Sequence, residues 1–364
     1  MGGNEEDSML NGSLMPNQLL ISIRSAALLG AFLAASVSAD DAALRQRLSK
    51  LSDQIVYESY VDNNWELFVM DADGGNARNL TQTSDQHEIY PQVSPDGKRI
   101  AFVADKGKGR DTVRSVYVMN ADGSDRKLIA EYARQPFWAP DSEVIGYLPQ
   151  EYKRFHVVDY YTKGMRFHHI GTGKSWDHPN AEKIHHLYNP SFSANGKWVV
   201  STVHAGMGHS HAILAIEAKG DGIYNLEIPG CRPCFSPDGS KVAWGPGDHE
   251  ISVATLDFSG KEPKIAKKQM SVVDKVNKIY HVDWSPDGRF LTISRGPNGE
   301  GDISKPGTHS AACEIVGVHA QGWNIIAVSA EAEGTLDLNA EGAKGFVTLT
   351  DNGASNKESD WLRR

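Results

Sequence analysis

The chain has 364 residues. That is too long for one ordinary compact domain and short for three, so it reads as two domains or one repeat architecture. Apolar residues make up 40% and charged residues 23%, enough for a core and too balanced for a disordered chain. The net charge of −9 gives no reason to expect nucleic acid as a partner, and three cysteines cannot build a disulfide framework.

The first apolar stretch is Ser25 to Ser36, SAALLGAFLAAS. It is shorter than the roughly 20 residues a membrane-spanning helix needs. Arg24 precedes it and the small residues Val37-Ser38-Ala39 follow, the layout of a secretory signal peptide cleaved after Ala39. Residues 1–14 are acidic and do not suit the start of such a signal, so Met15 reads as the true start. The sequence thus predicts a signal over 1–39 and an exported, periplasmic or secreted, mature chain. No second apolar run follows, so no membrane span is expected after cleavage. Residues 40–53 read as a short extension, with helical character confined to Ala42–Leu51.

A repeat occupies the rest. Ser94-Pro95-Asp96-Gly97 recurs as Ala139-Pro140-Asp141-Ser142, Ser193-Ala194-Asn195-Gly196, Ser236-Pro237-Asp238-Gly239 and Ser285-Pro286-Asp287-Gly288. Val93, Trp138, Phe192, Phe235 and Trp284 precede the copies, and runs such as RIAFVA and KVAWGP follow them. Pro fixes φ, Asp caps locally and Gly takes positive φ, which makes each copy a tight turn. The flanking runs are short and alternate, so they are strands. Each unit is a four-stranded antiparallel sheet that cannot bury both faces alone, and radial stacking solves that. Five copies carry the turn, while the first strands at Gln54–Tyr60 have none before them. Ser359-Asp360-Trp361 at the C-terminus are the residues that elsewhere precede the turn. The expectation is an all-β, six-bladed β-propeller over 54–364, closed by the C-terminal strand.

This pattern resembles the TolB-like (WD40-like, PD40) propeller repeat and covers about 54–361. The resemblance implies a six-bladed ring and a binding role in the cell envelope. Only about 14 residues lie between the predicted cleavage point and the first strand, so the separate α/β domain of TolB is not expected here. The same repeat occurs in prolyl-oligopeptidase-type peptidases, but the chain has no Gly-x-Ser-x-Gly elbow.

Histidine is the compositional anomaly: of 14 in the chain, eight fall between His168 and His211. In a propeller, His185 and His186 enter the fourth blade, and His204, His209 and His211 fall in a loop on the same face. His281, His87-Glu88, Arg134 and Lys357-Glu358 enter other blades in equivalent places. Imidazoles and carboxylates converging on one mouth suit a transition-metal site or acid–base work. Solvated surface histidines are the bland alternative. The sequence nominates His87, Glu88, Arg134, His186, Arg295 and Glu358 as ligand contacts at that mouth.

Asn189–Glu217 also resembles the matching blade of oligogalacturonate lyases, which are seven-bladed. His204-Ala205-Gly206 stands where that family has His-Glu-Gly, and His281-Val282-Asp283-Trp284 where it has His-Glu-Phe-Trp. The resemblance implies His204 as base and His281 as a ligand to manganese in a β-elimination on uronate glycans; His186 and His209 are nominated beside His281 as further ligands for manganese or zinc. The Gln-x-x-His-x-His set that completes the family's metal site is missing.

Cys231-Arg232-Pro233-Cys234 is a C-x-x-C on an inner strand and reads as a structural pair. Asp71-Ala72-Asp73-Gly74 reads as a hairpin turn. The long insertion Gly296–Gly322 reads as a lid on the histidine face, with 172–186 and its Trp176 as a second loop there. The function expected is binding of an envelope protein, a peptide or a glycan at the mouth. Uronate lysis and a purely structural envelope scaffold are the alternatives.

Overall fold

The computed structural model describes residues 39–260, 262–299 and 313–364. The predicted signal peptide, the Met15 start and much of the insertion's first half lie outside these. Among the described residues no helix is long and apolar enough to cross a membrane.

Six sheets form the ring, each with its innermost strand first in the order given. Blade 1 takes Ser355–Leu362 from the C-terminus, then Gln54–Val61, Asn64–Asp71 and Arg78–Asn79. Blade 2 is Gln86–Val93, Arg99–Lys106, Val113–Asn120 and Lys127–Glu131; blade 3 is Ala133–Trp138, Val144–Pro149, Arg166–His169 and Ser175–Asp177. Blade 4 is Leu187–Phe192, Trp198–Gly206, His209–Glu217 and Ile223–Asn225. Blade 5 is Cys231–Phe235, Lys241–Gly247, Glu250–Asp257 and Lys264–Val273. Blade 6 is Asn277–Trp284, Phe290–Pro297, Asn324–Ser329 and Phe346–Thr348. Gly334–Asp337 leaves blade 6 and adds a parallel fifth strand to blade 5, covering its edge.

The predicted turn works as its chemistry requires. Ser94 Oγ donates to Asp96 Oδ1 at 2.7 Å, Gly97 N–H donates to Ser94 O at 2.8 Å, and Gly97 has φ +72°. Ser236–Asp238 and Ser285–Asp287 repeat the hydroxyl–carboxylate contact at 2.6 Å. Apolar clusters fill the spaces between blades, for example Ile251, Val272, Ile279, Leu291 and Val328.

A second repeated device was not legible as a motif. Every innermost strand carries a bulge, and one residue there is left-handed: Tyr90, Gln135, Asn189, Arg232, His281 and Glu358, with φ between 47° and 56°. A bulge frees a backbone N–H from the ladder. In four blades a side chain of the preceding blade takes it. Tyr90 N–H goes to Glu58 at 2.9 Å, Asn189 N–H to Gln135, Arg232 N–H to Thr202 at 2.8 Å, and Glu358 N–H to Ser294 at 3.1 Å. The ring is thereby stitched near its axis.

The helical character at the start is real. Ala39–Leu48 is a helix whose Leu44 and Leu48, four residues apart, pack on Ile55, Met70 and Phe290. Arg47 lies over the Phe290 ring and pairs with Glu331 at 2.6 Å.

Candidate functional site

The face expected to carry the site is covered at its axis. Segment 313–318, from the second half of the long insertion, lies across it. Lys357, fully buried, donates to the carbonyls of Cys313, Ile315 and Val318 at 3.1, 2.8 and 2.9 Å. His281 Nε2 donates to Glu314 O at 2.8 Å, and the Gly317 N–H reaches Glu58 at 3.5 Å. Arg134, 1% exposed, donates to the carbonyls of His156 and Val158 and so holds a second segment. Burial lowers the Arg134 guanidinium to about 9, with Arg114 adding to the fall. Buried cations here satisfy backbone carbonyls that no strand pairs.

His281 and Glu358 meet directly: Nδ1 and Oε1 are 2.6 Å apart. Burial, then Arg232, drives the imidazole well below its usual pKa; burial drives the carboxyl well above its own. Burial therefore favours the neutral form of both groups, which face each other without a well-aligned hydrogen bond.

The other nominated residues are spread out. His186 Nε2 pairs with Glu151 at 2.9 Å, and its Nδ1 contacts Ala205 O at 2.8 Å. His204 sits within a strand, not the expected loop, because the ladder runs to Gly206↔His209 before the chain turns. Its ring lies 4.3 Å from that of Tyr160. His209 opens the next strand. His87 Nδ1 accepts from Trp65 N–H at 3.2 Å, and burial lowers its pKa. Glu88 is fully buried, accepts from Gln86 at 2.7 Å and is raised by burial. Arg295 pairs with Asp274 away from these. Among the described residues no three His, Cys, Asp or Glu side chains converge as metal ligands would. The residues nominated for manganese or zinc do not fit as a ligand set: His281 and His186 each spend a nitrogen on a carboxyl group and the other on a backbone carbonyl. No step is derived through a metal.

Cys231 and Cys234 are separate thiols flanking the Arg232 bulge. Burial, then Asp283, raises Cys234 well above the usual range, so it is an unreactive donor to Asp283 at 3.4 Å. Trp176 lies on an outer strand and lines a groove with Pro140 and Asp141. That puts it at the Pro-Asp-Gly turns, not on the histidine face.

The opposite end of the axis is open. A pocket of about 350 Å³ there is walled by residues of all six blades, among them Trp138, Phe192, Phe235, Trp284 and Trp361. It shares Pro140 and Phe192 with the Trp176 groove of about 530 Å³, and Pro237 and Trp284 with a third hollow of about 310 Å³. Asp283 and Asp360 both line it, and Asp283 also lines a small axial cavity of about 60 Å³ at the bulge ring. The signal for these two was in the sequence: they fall where other blades have Gln92, Phe137, Ser191 and Cys234. The position reads as packing.

A six-bladed propeller with one end of its axis filled and the other hollow is the class that the geometry defines. The fold is that of TolB-type propellers. TolB from Acinetobacter baumannii aligns over 89% of this chain and 71% of its own, at 16% identity and TM-score 0.57. A chain of the Nidogen/Laminin complex aligns over 85% and 98%, at 7% identity and TM-score 0.55. An oligogalacturonate lyase in complex with manganese aligns over 76% and 71%, at 14% identity and TM-score 0.46, too low to bear on function. No protein-family model matches the chain. No curated protein matches it.

Proposed function

We propose that this is an exported binding propeller that holds an extended peptide segment across its Pro-Asp-Gly face. One observation carries the reading: the axial pocket walled by all six blades is flanked by two grooves that share lining residues with it. A hollow flanked in this way suits a chain, which enters, crosses and leaves, better than a compact small molecule. Its mix of aromatic edges, prolines and a few fixed polar groups is that of a recognition site. Export rests on the signal-like residues 25–39.

Selection of a displayed library of random dodecapeptides on the full chain tests this. Enriched peptides should lose binding on Trp176→Ala, a substitution of an exposed groove residue. They should keep it on Tyr152→Ala, an exposed aromatic outside these grooves. Failure to enrich any peptide, or loss on Tyr152→Ala alone, overturns the reading.

A further inference from the structure

We propose that the axial pocket recognises a cationic side chain, a lysine or arginine of the bound peptide, with the Asp283 and Asp360 carboxyl groups as its counter-charge. The inference rests on the peptide reading above and names the residue type at its centre.

Asp283 and Asp360 occupy the same position of neighbouring innermost strands, two residues beyond the bulges at His281 and Glu358. Each is fixed by the backbone of the following blade. Asp283 Oδ2 accepts from Trp361 N–H at 3.2 Å, and Asp360 Oδ2 accepts from Val93 N–H at 2.6 Å. The two carboxyl groups are close enough for each to act on the other's ionisation. Neither carboxyl group has an ion-pair partner among the described residues, and the one basic side chain lining the pocket, Arg363, points its guanidinium to the Pro286 carbonyl. Two adjoining carboxyl groups held in place without a cation are a prepared partner for one.

The walls agree. Five aromatic side chains line the pocket with the pair, and aromatic rings attract cations. Trp361 adds an independent sign. Trp138 and Trp284 donate their indole N–H to the carbonyls of Gln92 and Cys234, at 2.8 and 3.2 Å. Trp361, 3% exposed and lining the same pocket, has no partner for its indole N–H. A peptide carbonyl beside the cationic residue supplies one after a small shift of the ring. Arg363, the basic side chain at the rim, is committed to Pro286 O at 3.2 Å.

Burial, then Asp283, raises Asp360 well above the carboxylate range, and burial raises Asp283. The empty pair therefore shares a proton. The titratable groups facing it are Cys234 from blade 5, which stays neutral, and Arg363 at the rim, with Glu358 and His281 one ring further in. Arrival of a cation expels the shared proton to solvent, so affinity rises with pH.

The test uses the full chain and N-acetylated, C-amidated peptides enriched on it, each with its central basic residue or that residue replaced by norleucine or glutamate. Calorimetry should show the lysine and arginine forms binding at least about tenfold more tightly than norleucine, with glutamate weakest. It should also show release of about one proton per lysine peptide, read from buffers of different ionisation enthalpy. Asp283→Asn should reduce the lysine-to-norleucine affinity ratio severalfold. Equal binding of lysine and norleucine forms by the unmodified protein overturns the cationic inference and leaves the peptide reading intact. Absence of binding by every form overturns both.

Discussion

Nδ1 of His281 and Oε1 of Glu358 lie 2.6 Å apart at the axis of the ring, on the innermost strands of blades 6 and 1. Nε2 of the same imidazole donates to Glu314 O, so Nδ1 is an acceptor. Burial favours the neutral form of both partners, so the close approach is not an ion pair. His281 is thus a neutral Nε2–H tautomer that ties blade 6, the closing strand and segment 313–318 together.

The expected outcome is specific. Nitrogen-15 NMR should show His281 staying in the neutral Nε2–H form as the pH is lowered through the usual imidazole range. Glu358→Gln should be mild, because it keeps the shape of a buried group that is already neutral. Glu358→Ala should cost about 1–3 kcal/mol, since it removes the polar group facing a buried acceptor. Titration of His281 near pH 6.5 would contradict the assignment.

Glu58 gives the fold a pH dependence. Burial raises it to about 8; Lys357 opposes the rise and Glu358 adds to it. The folded state then holds a proton that the unfolded chain gives up near 4.5. The contribution is fully present below pH 4.5, declines as pH rises through 4.5 to about 8, and is gone above. The melting temperature should fall from pH 5 to pH 9, and Glu58→Gln should flatten that slope. A flat or rising profile for the unsubstituted protein would refute the assignment.

The ring and its closure were legible because turn chemistry repeats in the sequence. Ser94-Pro95-Asp96-Gly97 and its copies declare the blades, and Asp360-Trp361 declares the closing strand. The open end of the axis was not legible. Arg134, His281 and Lys357 are polar residues at the expected face, yet each serves a segment that crosses it, and what covers a channel depends on how far a loop folds back. His204 and His209 read as loop residues because they flank Met207-Gly208; the ladder simply extends further along that hairpin. Asp283 and Asp360 were visible as polar residues at a packing position, and only the fold makes them neighbours.

Lys357 should be the main anchor of segment 313–318. It is fully buried and burial lowers its pKa, against the pull of Glu58 and Glu358. Lys357→Met keeps the shape and removes three hydrogen bonds to carbonyls. The expected cost is about 3–5 kcal/mol, because three carbonyls lose the charged donor that satisfied them. Amide exchange should rise first in 313–323 and only later in the blades. Uniform acceleration across all blades would show that the segment is not separately held.

Closure of the ring can be tested by one pair of glycines. Gly97 and Gly288 occupy the same place in the turns of blades 2 and 6, both at φ +72°. A side chain there costs about 1 kcal/mol from the left-handed backbone alone. At Gly288 the nearest atom to a new Cβ is 4.0 Å away, so Gly288→Ala should cost little more. At Gly97 the new Cβ would lie 2.2 Å from the Arg363 carbonyl oxygen, on the tail that follows the closing strand. Gly97→Ala must push that tail away and strain the pairing of Gln54 with Leu362 and Ile55 with Trp361. Its melting temperature should therefore fall well below that of Gly288→Ala, and truncation after Ser359, which removes the Asp360–Val93 bond as well, should fall further. If Gly97→Ala and Gly288→Ala melt together, the tail does not bear on the turn and closure depends on the strand pairing alone.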